Sequence, residues 1–132
     1  MSETNVRAAR RGFDAWNRGD VEGWLQHLHP EIEFRTSGLY PGTDPVYRGH
    51  DDMRRFWTSF REPWERLQIR VDETREAGDS VVILATFEAQ ARDGMSVQRE
   101  ASWIVWPMGD LIAQIQTHAS WQEALEAVGL SE

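Results

Sequence analysis

Near Pro63 the hydrophobic period changes from mainly helical to strand-like, and that change restricts the fold more than any other feature of the sequence. Upstream, Val6, Ala9, Phe13 and Trp16 recur at three- and four-residue intervals between Glu3 and Asn17, with Arg7, Arg10, Arg11 and Asp14 on the other side. This is the spacing of an amphipathic helix. Asp20 is placed to cap a second, short helix through "VEGWLQHL", and "EIEFRT" alternates as a half-buried strand. "HDDMRRFWTSF" then carries acids in its first turn and sets Met53, Phe56, Trp57 and Phe60 on one helical face. Downstream, "LQIRVDETREAG", "DSVVILATFEAQAR", "MSVQREASWIVW" and "DLIAQIQTHAS" read as strands joined at Gly78, "RDG" and "PMGD". They predict an antiparallel meander, which "WQEALEAVGL" follows as a terminal helix closing at Gly129. Helices followed by strands indicate α+β: one domain over residues 1–132, a cone-shaped curved antiparallel sheet with N-terminal helices packed on its concave face. The open end of such a cone is a natural place for a small-molecule cavity.

Composition narrows the class of ligand. A formal charge of −8 repels phosphate backbones and anionic membrane faces, so neither nucleic acid nor membrane is expected as a partner. All 14 basic residues are Arg, which removes Schiff-base chemistry, and the absence of Cys removes thiolate nucleophiles, disulfides and Cys-based zinc sites. The start lacks the apolar run of a signal peptide and no stretch could span a bilayer, so a cytoplasmic protein is expected. Seven Trp exceed what a core of this size needs, and surplus rings tend to line pockets or interfaces. His27 and His29 are two residues apart, on different sides of a helix and without a third ligand nearby, so no metal is expected. No strand-GxGxxG-helix unit or P-loop occurs, and no nucleotide or other cofactor is expected.

The strings "FDAWNRGDVEGWLQHLHPEIEFRTSG", "YPGTDPVYRGHDDMRRFWTSFREPW" and "SWQEALEAVGL" resemble the SnoaL-like family of the nuclear transport factor 2-like superfamily, over nearly the whole chain. The resemblance implies the cone fold, a homodimer through the outer face of the sheet and a ligand pocket between sheet and helices. Chemistry varies widely within that superfamily, from polyketide cyclases and ketosteroid isomerases to non-catalytic binders, because it resides in the site and not in the fold. The aspartate that SnoaL-like cyclases use as acid/base falls here at Ser120, and the tyrosine before it at His118. The base of the ketosteroid isomerases falls near Thr36 and Ser37, neither of them a carboxylate.

Strand parity then selects candidate residues. A turn at "PMGD", with Arg92 paired to Met95 across Asp93 and Gly94, puts His118, Gln116, Gln114, Arg99, Trp103 and Glu88 on one mixed face. Phe87, Ala85, Ile83, Ile104, Trp106 and Ile115 fall on the other, apolar face. Two assignments compete, and the one favoured has the mixed face lining the cavity and the apolar face supporting a dimer. A bulge in any strand would break it. The candidate catalytic residues are His118 as general base, with Glu88 or Arg99 orienting it or steadying an oxyanion. Trp16, Tyr40, Trp57, Trp103, Gln114, Gln116 and Ser120 are the candidate ligand contacts. The expected partner is a small, largely apolar organic molecule, and the expected reaction a cofactor-free isomerisation, cyclisation, dehydration or epoxide opening. A ligand-binding or accessory protein without turnover, or a protein-interaction module, is the competing reading.

The run "GLYPGTDPVYRG" lies between a strand and a helix, where a loop of this length is usually functional. It reads as a pocket rim stiffened by its two prolines. Tyr40 is expected to lean over the opening and Tyr47 to anchor the loop at its base.

Overall fold

The computed structural model describes residues 2–40 and 42–130. Helices α1 (Ser2–Arg18) and α2 (Val21–Gln26) lead into strand β1 (Leu28–Arg35), and a loop connects it to β2 (Val46–Arg48) and α3 (Gly49–Arg61). Strands β3 (Trp64–Ala77), β4 (Ser80–Ala91), β5 (Ser96–Met108) and β6 (Leu111–His118) follow, and α4 (Trp121–Ala127) ends the chain's regular structure. The six strands form one curved, open sheet in the order β2-β1-β6-β5-β4-β3. All pairings are antiparallel except one: β1 runs parallel to β6, through Phe34↔Ile115 and Arg35↔Gln116. The parallel step arises because β1 is first in sequence but sits beside the last strand, reached only after α3 and the whole meander have been laid down.

Local signals fix the helix ends. Asp20 accepts a hydrogen bond from the Gly23 backbone N–H at 2.9 Å and starts α2, which stops two residues sooner than its apolar spacing predicts because Leu28 is recruited to pair with Ile112. Asp52 accepts from the Arg48 N–H at 2.9 Å, a side-chain cap for the start of α3. Helices α1 and α3 cover one face of the sheet, burying Ala8, Ala15, Trp16, Met53 and Phe56 against Ile83, Ala85 and Val105. Helix α4 covers part of the opposite face, where Ala124 and Leu125 pack on Val82, Leu84 and Ile104. The apolar stripe expected to support a dimer is therefore partly occupied by the chain's own last helix.

The register of the meander departs from expectation at two points, and both have local causes. At the β4–β5 hairpin the connection is Arg92, Asp93 and Gly94, with the Ala91 N–H bonded to the Met95 carbonyl at 2.7 Å and Gly94 at φ 94°. A loop of three residues ending in a left-handed glycine replaces the two-residue turn. Pairing shifts by one residue, so that Phe87, not Glu88, stands opposite Arg99. In β6 the partners change from Pro107↔Ile112 to Trp106↔Gln114, leaving Ala113 as the extra residue of a bulge. Beyond it His118 pairs with Ser102 instead of a residue between Arg99 and Ala101. The face toward α1 and α3 consequently combines Ile83, Ala85, Phe87 and Ile115 with Arg99, Ala101 and Trp103, and neither of the two expected faces survives intact.

Strand β3 is a sheet edge, and α1 closes part of it with a side chain. The Asn17 amide donates to the Ile69 carbonyl and accepts from the Ile69 N–H, both at 2.8 Å, so one side chain replaces the missing neighbouring strand. Asn17→Ala is expected to lower the unfolding free energy by about 2 kcal/mol in chemical denaturation, because both backbone groups of Ile69 lose their partners. A change under a few tenths of a kcal/mol would show that the contact contributes nothing to stability.

Candidate functional site

A cavity of about 390 Å³ lies between the helices and the inner face of the sheet. Its helix side is built by Phe13 and Trp16 from α1 and by Phe56 and Phe60 from α3, and its sheet side by Phe87 and Trp103. The i, i+3 and i, i+4 spacing of the helix residues puts each pair on one face. Ring contacts close the wall: Phe13 meets Trp103 at 5.1 Å between centroids, and Phe56 stacks on Phe60 at 5.3 Å. Trp24 and Trp57 stand beside Trp16 at 5.2 and 4.8 Å, and the Arg61 guanidinium lies over both Trp16 and Trp57. Trp57 thereby fixes Trp16 without itself lining the cavity.

The loop after β1 forms a further wall and is held by hydrogen bonds at several points. The Thr36 hydroxyl donates to the Asp44 carbonyl at 2.7 Å, and the Tyr47 hydroxyl, on a ring only 1% exposed, accepts from the Asp44 N–H at 2.8 Å. The Ser37 hydroxyl donates to the Thr117 carbonyl at 2.8 Å, which ties the loop to β6. Pro41, the first of its two prolines, lies outside the described residues. Tyr40 lines the cavity, in contact with Phe60 at 4.9 Å, and its hydroxyl accepts from the Trp103 indole N–H at 3.2 Å. Burial pushes the Tyr40 phenol up to about 12, against smaller opposing effects of the Thr117 and Trp103 side chains.

Few polar groups interrupt this lining. Two buried side-chain atoms in the described residues, Trp16 Nε1 and His118 Nε2, have no hydrogen-bond partner, and the Thr117 hydroxyl has none besides the Tyr40 hydroxyl beside it. All three residues border the cavity. Buried polar groups are rarely left unpaired, and these lie around one cavity. Burial holds the His118 imidazole below its ordinary value, with Glu123 opposing the shift, so the ring is neutral at pH 7.

The structure places the candidate residues as follows. Trp16, Tyr40, Trp103 and Arg99 line the cavity, Arg99 at an exposed position. His118 borders it where β6 ends, but as the partner of Ser102 it shares the parity of Gln114 and Gln116, so the Ala113 bulge turns it toward the face that α4 covers, near Glu123. Glu88 does not: the one-residue shift of the hairpin turns it to the outer face, where it pairs with Arg70 at 3.4 Å. Gln114 and Gln116 are also on the outer face, carried there by the Ala113 bulge, beside Trp106 and Ile104. Ser120 lies past the strand and caps α4, its hydroxyl accepting from the Glu123 N–H at 3.1 Å. Sequence reasoning missed Phe87 and Thr117 as cavity residues for the same reason of register. Phe13 and Phe60 stand on the apolar helical faces that the periodicity predicts but are not among the expected ligand contacts. Among the described residues no group of three His, Asp or Glu side chains is placed to hold a metal ion.

Comparison with known proteins bears on the fold. An NTF2-like protein of unknown function from Burkholderia pseudomallei is 21% identical, with a TM-score of 0.78 over 96% of this chain and 98% of its own. TerC, co-crystallised with polyporic acid, is 20% identical, with a TM-score of 0.79 over 95% of this chain and 97% of its own. A Mycobacterium tuberculosis protein in complex with estradiol-17β-hemisuccinate is 13% identical, with a TM-score of 0.74 over 87% of this chain and 92% of its own. None of the curated proteins matches the chain significantly in sequence. The family model of the SnoaL-like domain matches residues 9–115, from the first turns of α1 to the middle of β6. The match spans the helices, the loop and the meander that enclose the cavity, and the chain belongs to the SnoaL-like domain family.

Proposed function

We propose that the cavity binds a small, largely apolar organic molecule with linked or fused rings, and that His118 acts on it as a general base in a cofactor-free proton transfer. The observation that carries the binding reading is the aromatic cavity of about 390 Å³ with the unpartnered Trp16 indole N–H in its lining. That volume falls within the range of small-molecule sites, which are concave, mostly apolar and carry a few convergent polar groups. The organic ligands named for TerC and for the mycobacterial protein, on the same fold, agree with this class of occupant.

Two observations support His118 as a base: its Nε2 has no hydrogen-bond partner among the described residues, and burial keeps the ring neutral at the border of the cavity. Arg99, also on the lining, has no carboxylate partner among the described residues and supplies positive charge for an oxyanion that develops near the mouth. A binding role without turnover is favoured by a different observation. Glu88 faces away, the one carboxylate on the lining among the described residues, Glu100, accepts the Trp121 N–H at 3.0 Å, and the acid that acts on His118, Glu123, belongs to α4 and not to the lining.

Three measurements test these readings. Fluorene, a three-ring hydrocarbon, is expected to quench tryptophan fluorescence saturably, and Trp16→Ala to weaken its binding by about tenfold through loss of a wall of the cavity. Native mass spectrometry that shows no retained organic molecule, together with no saturable quenching, would sink the pocket reading. His118→Ala is expected to abolish turnover of a substrate while leaving its binding within a few-fold, and equal turnover by both proteins excludes the general base. For the wild type, kcat/KM should fall as pH drops through a value below the ordinary 6.5 of histidine, because protonation removes the base.

The buried phenol makes a separate prediction. The Tyr40 proton is held more tightly in the folded chain, at about 12 against about 10 unfolded, so its contribution to stability is complete below pH 10 and is lost as pH rises toward 12. Ultraviolet titration should show a phenolate transition near pH 12 that disappears in Tyr40→Phe. Its persistence in that variant would assign the transition elsewhere.

A further inference from the structure

We infer that molecules enter and leave the cavity through its side, between α1 and the edge strand β3, past the ring of Phe13, and that Asn17 is the clasp that holds this gate shut. The inference rests on the pocket reading and adds to it a route of access. A second groove, of about 450 Å³, is lined by Arg10, Asp14 and Asn17 of α1 and by Gln68, Arg70 and Val71 of β3. Of the residues that line it, Phe13 and Ile69 alone also line the cavity, so these two side chains form the partition between the two spaces. Arg10, Phe13, Asp14 and Asn17 are spaced i, i+3, i+4 and i+7, which puts groove, gate and clasp on one stripe of the helix.

Phe13 is the least braced ring on the helix side of the cavity. Phe56 and Phe60 each pack against several other rings, and Trp16 lies against Trp24 and Trp57, whereas Phe13 meets Trp103 and no other ring among the described residues. It is half-buried, in keeping with a ring that has one edge in the cavity and the other in the groove. Gly12 precedes it on the cavity wall, and a Cβ at that position would meet nothing within 4 Å, so packing does not require the glycine. Its presence in the helix interior weakens the turn that carries the ring. Opening at this point breaks no strand pairing. The neighbour of β3 here is the Asn17 amide, bonded to both backbone groups of Ile69, with the Gln68 amide donating to the Asn17 carbonyl at 3.3 Å. The mouth near Arg99 lacks this freedom, because Ser37 ties the loop beside it to β6 and Tyr40 ties it to β5. In the groove Arg10 and Arg70 are balanced by Asp14 and Glu88, so a neutral apolar molecule crosses no region of single-signed charge.

The test follows the entry and exit of fluorene in the full-length protein by stopped-flow quenching of tryptophan fluorescence. A clasp that does not touch the bound ligand alters both rates by one factor and leaves the equilibrium unchanged. Asn17→Ala, which releases the clasp without changing the cavity lining, is expected to raise the association and dissociation rates together by about tenfold. Asn17→Asp keeps the acceptor and loses the donor, and its rates should fall between those of the wild type and Asn17→Ala. Arg10→Trp sets a large ring over the groove from an exposed helical position and should slow both rates by about fivefold. In all three variants the equilibrium affinity should stay within about twofold of the wild type. Unchanged rates in Asn17→Ala and Arg10→Trp overturn the inference, leave the pocket intact and assign entry to the mouth near Arg99. Faster exchange in Asn17→Ala without slower exchange in Arg10→Trp also overturns it, since a fold loosened throughout gives that result. A change in dissociation alone overturns it as well, because a residue acting in that way contacts the bound ligand. Failure of the wild type to bind fluorene overturns the pocket reading, and this inference with it. Should Asn17→Ala fail to fold, the rates of Arg10→Trp decide the matter.

Discussion

Because side chains alternate across a strand, the pairing of Gln90 with Ser96 at the β4–β5 hairpin commits every later residue of both strands to a face. It brings Phe87 inward opposite Arg99 and sends Glu88 outward to Arg70. The bulge at Ala113 makes a second commitment, bringing Ile115 and Thr117 inward and turning Gln114 and Gln116 away. An aromatic cavity with one hydroxyl at its sheet wall is the product of these two local irregularities. With the regular two-residue turn and no bulge, the same sequence would have pointed a glutamate and two glutamines at α1 and α3, burying polar groups with no partners in sight.

The cavity persists as a space because its walls are braced from outside. Trp16 is held between Trp24, Trp57 and the Arg61 guanidinium, and Phe56 by Phe34 and Tyr47, so the rings cannot fold inward without losing contacts behind them. The loop after β1 is braced in the same way, through Thr36, Ser37 and Tyr47. Glycine and proline gave it the shape of a turn; its order comes from hydrogen bonds that the composition does not reveal. Membership of the SnoaL-like domain family accounts for this scaffold, while the chemistry depends on the few polar atoms that reach the interior.

The helices were legible because each side of their pattern has one fate: Phe13, Trp16, Phe56 and Phe60 could only face the sheet. The strands were legible as strands, and as a meander, from their punctuation at Gly78, "RDG" and "PMGD". Their facing was not. "RDG" is compatible with a two- or three-residue connection, and nothing in "DLIAQIQTHAS" announces that Ala113 will bulge. Trp57, read as a ligand contact, turned out to support Trp16 from behind, a distinction that spacing alone does not make.

The sequence by itself determined the order of elements, the helical faces, the surplus of rings and the exclusion of cysteine and lysine chemistry. Those properties follow from residue types and short-range periodicity. Tertiary structure decided that β1 pairs parallel with β6, that α4 covers the outer face, and that Thr117 stands beside Tyr40 while Glu88 stands outside. Each of these depends on strand register, which is set by hydrogen bonds between segments distant in sequence and reverses with a single residue.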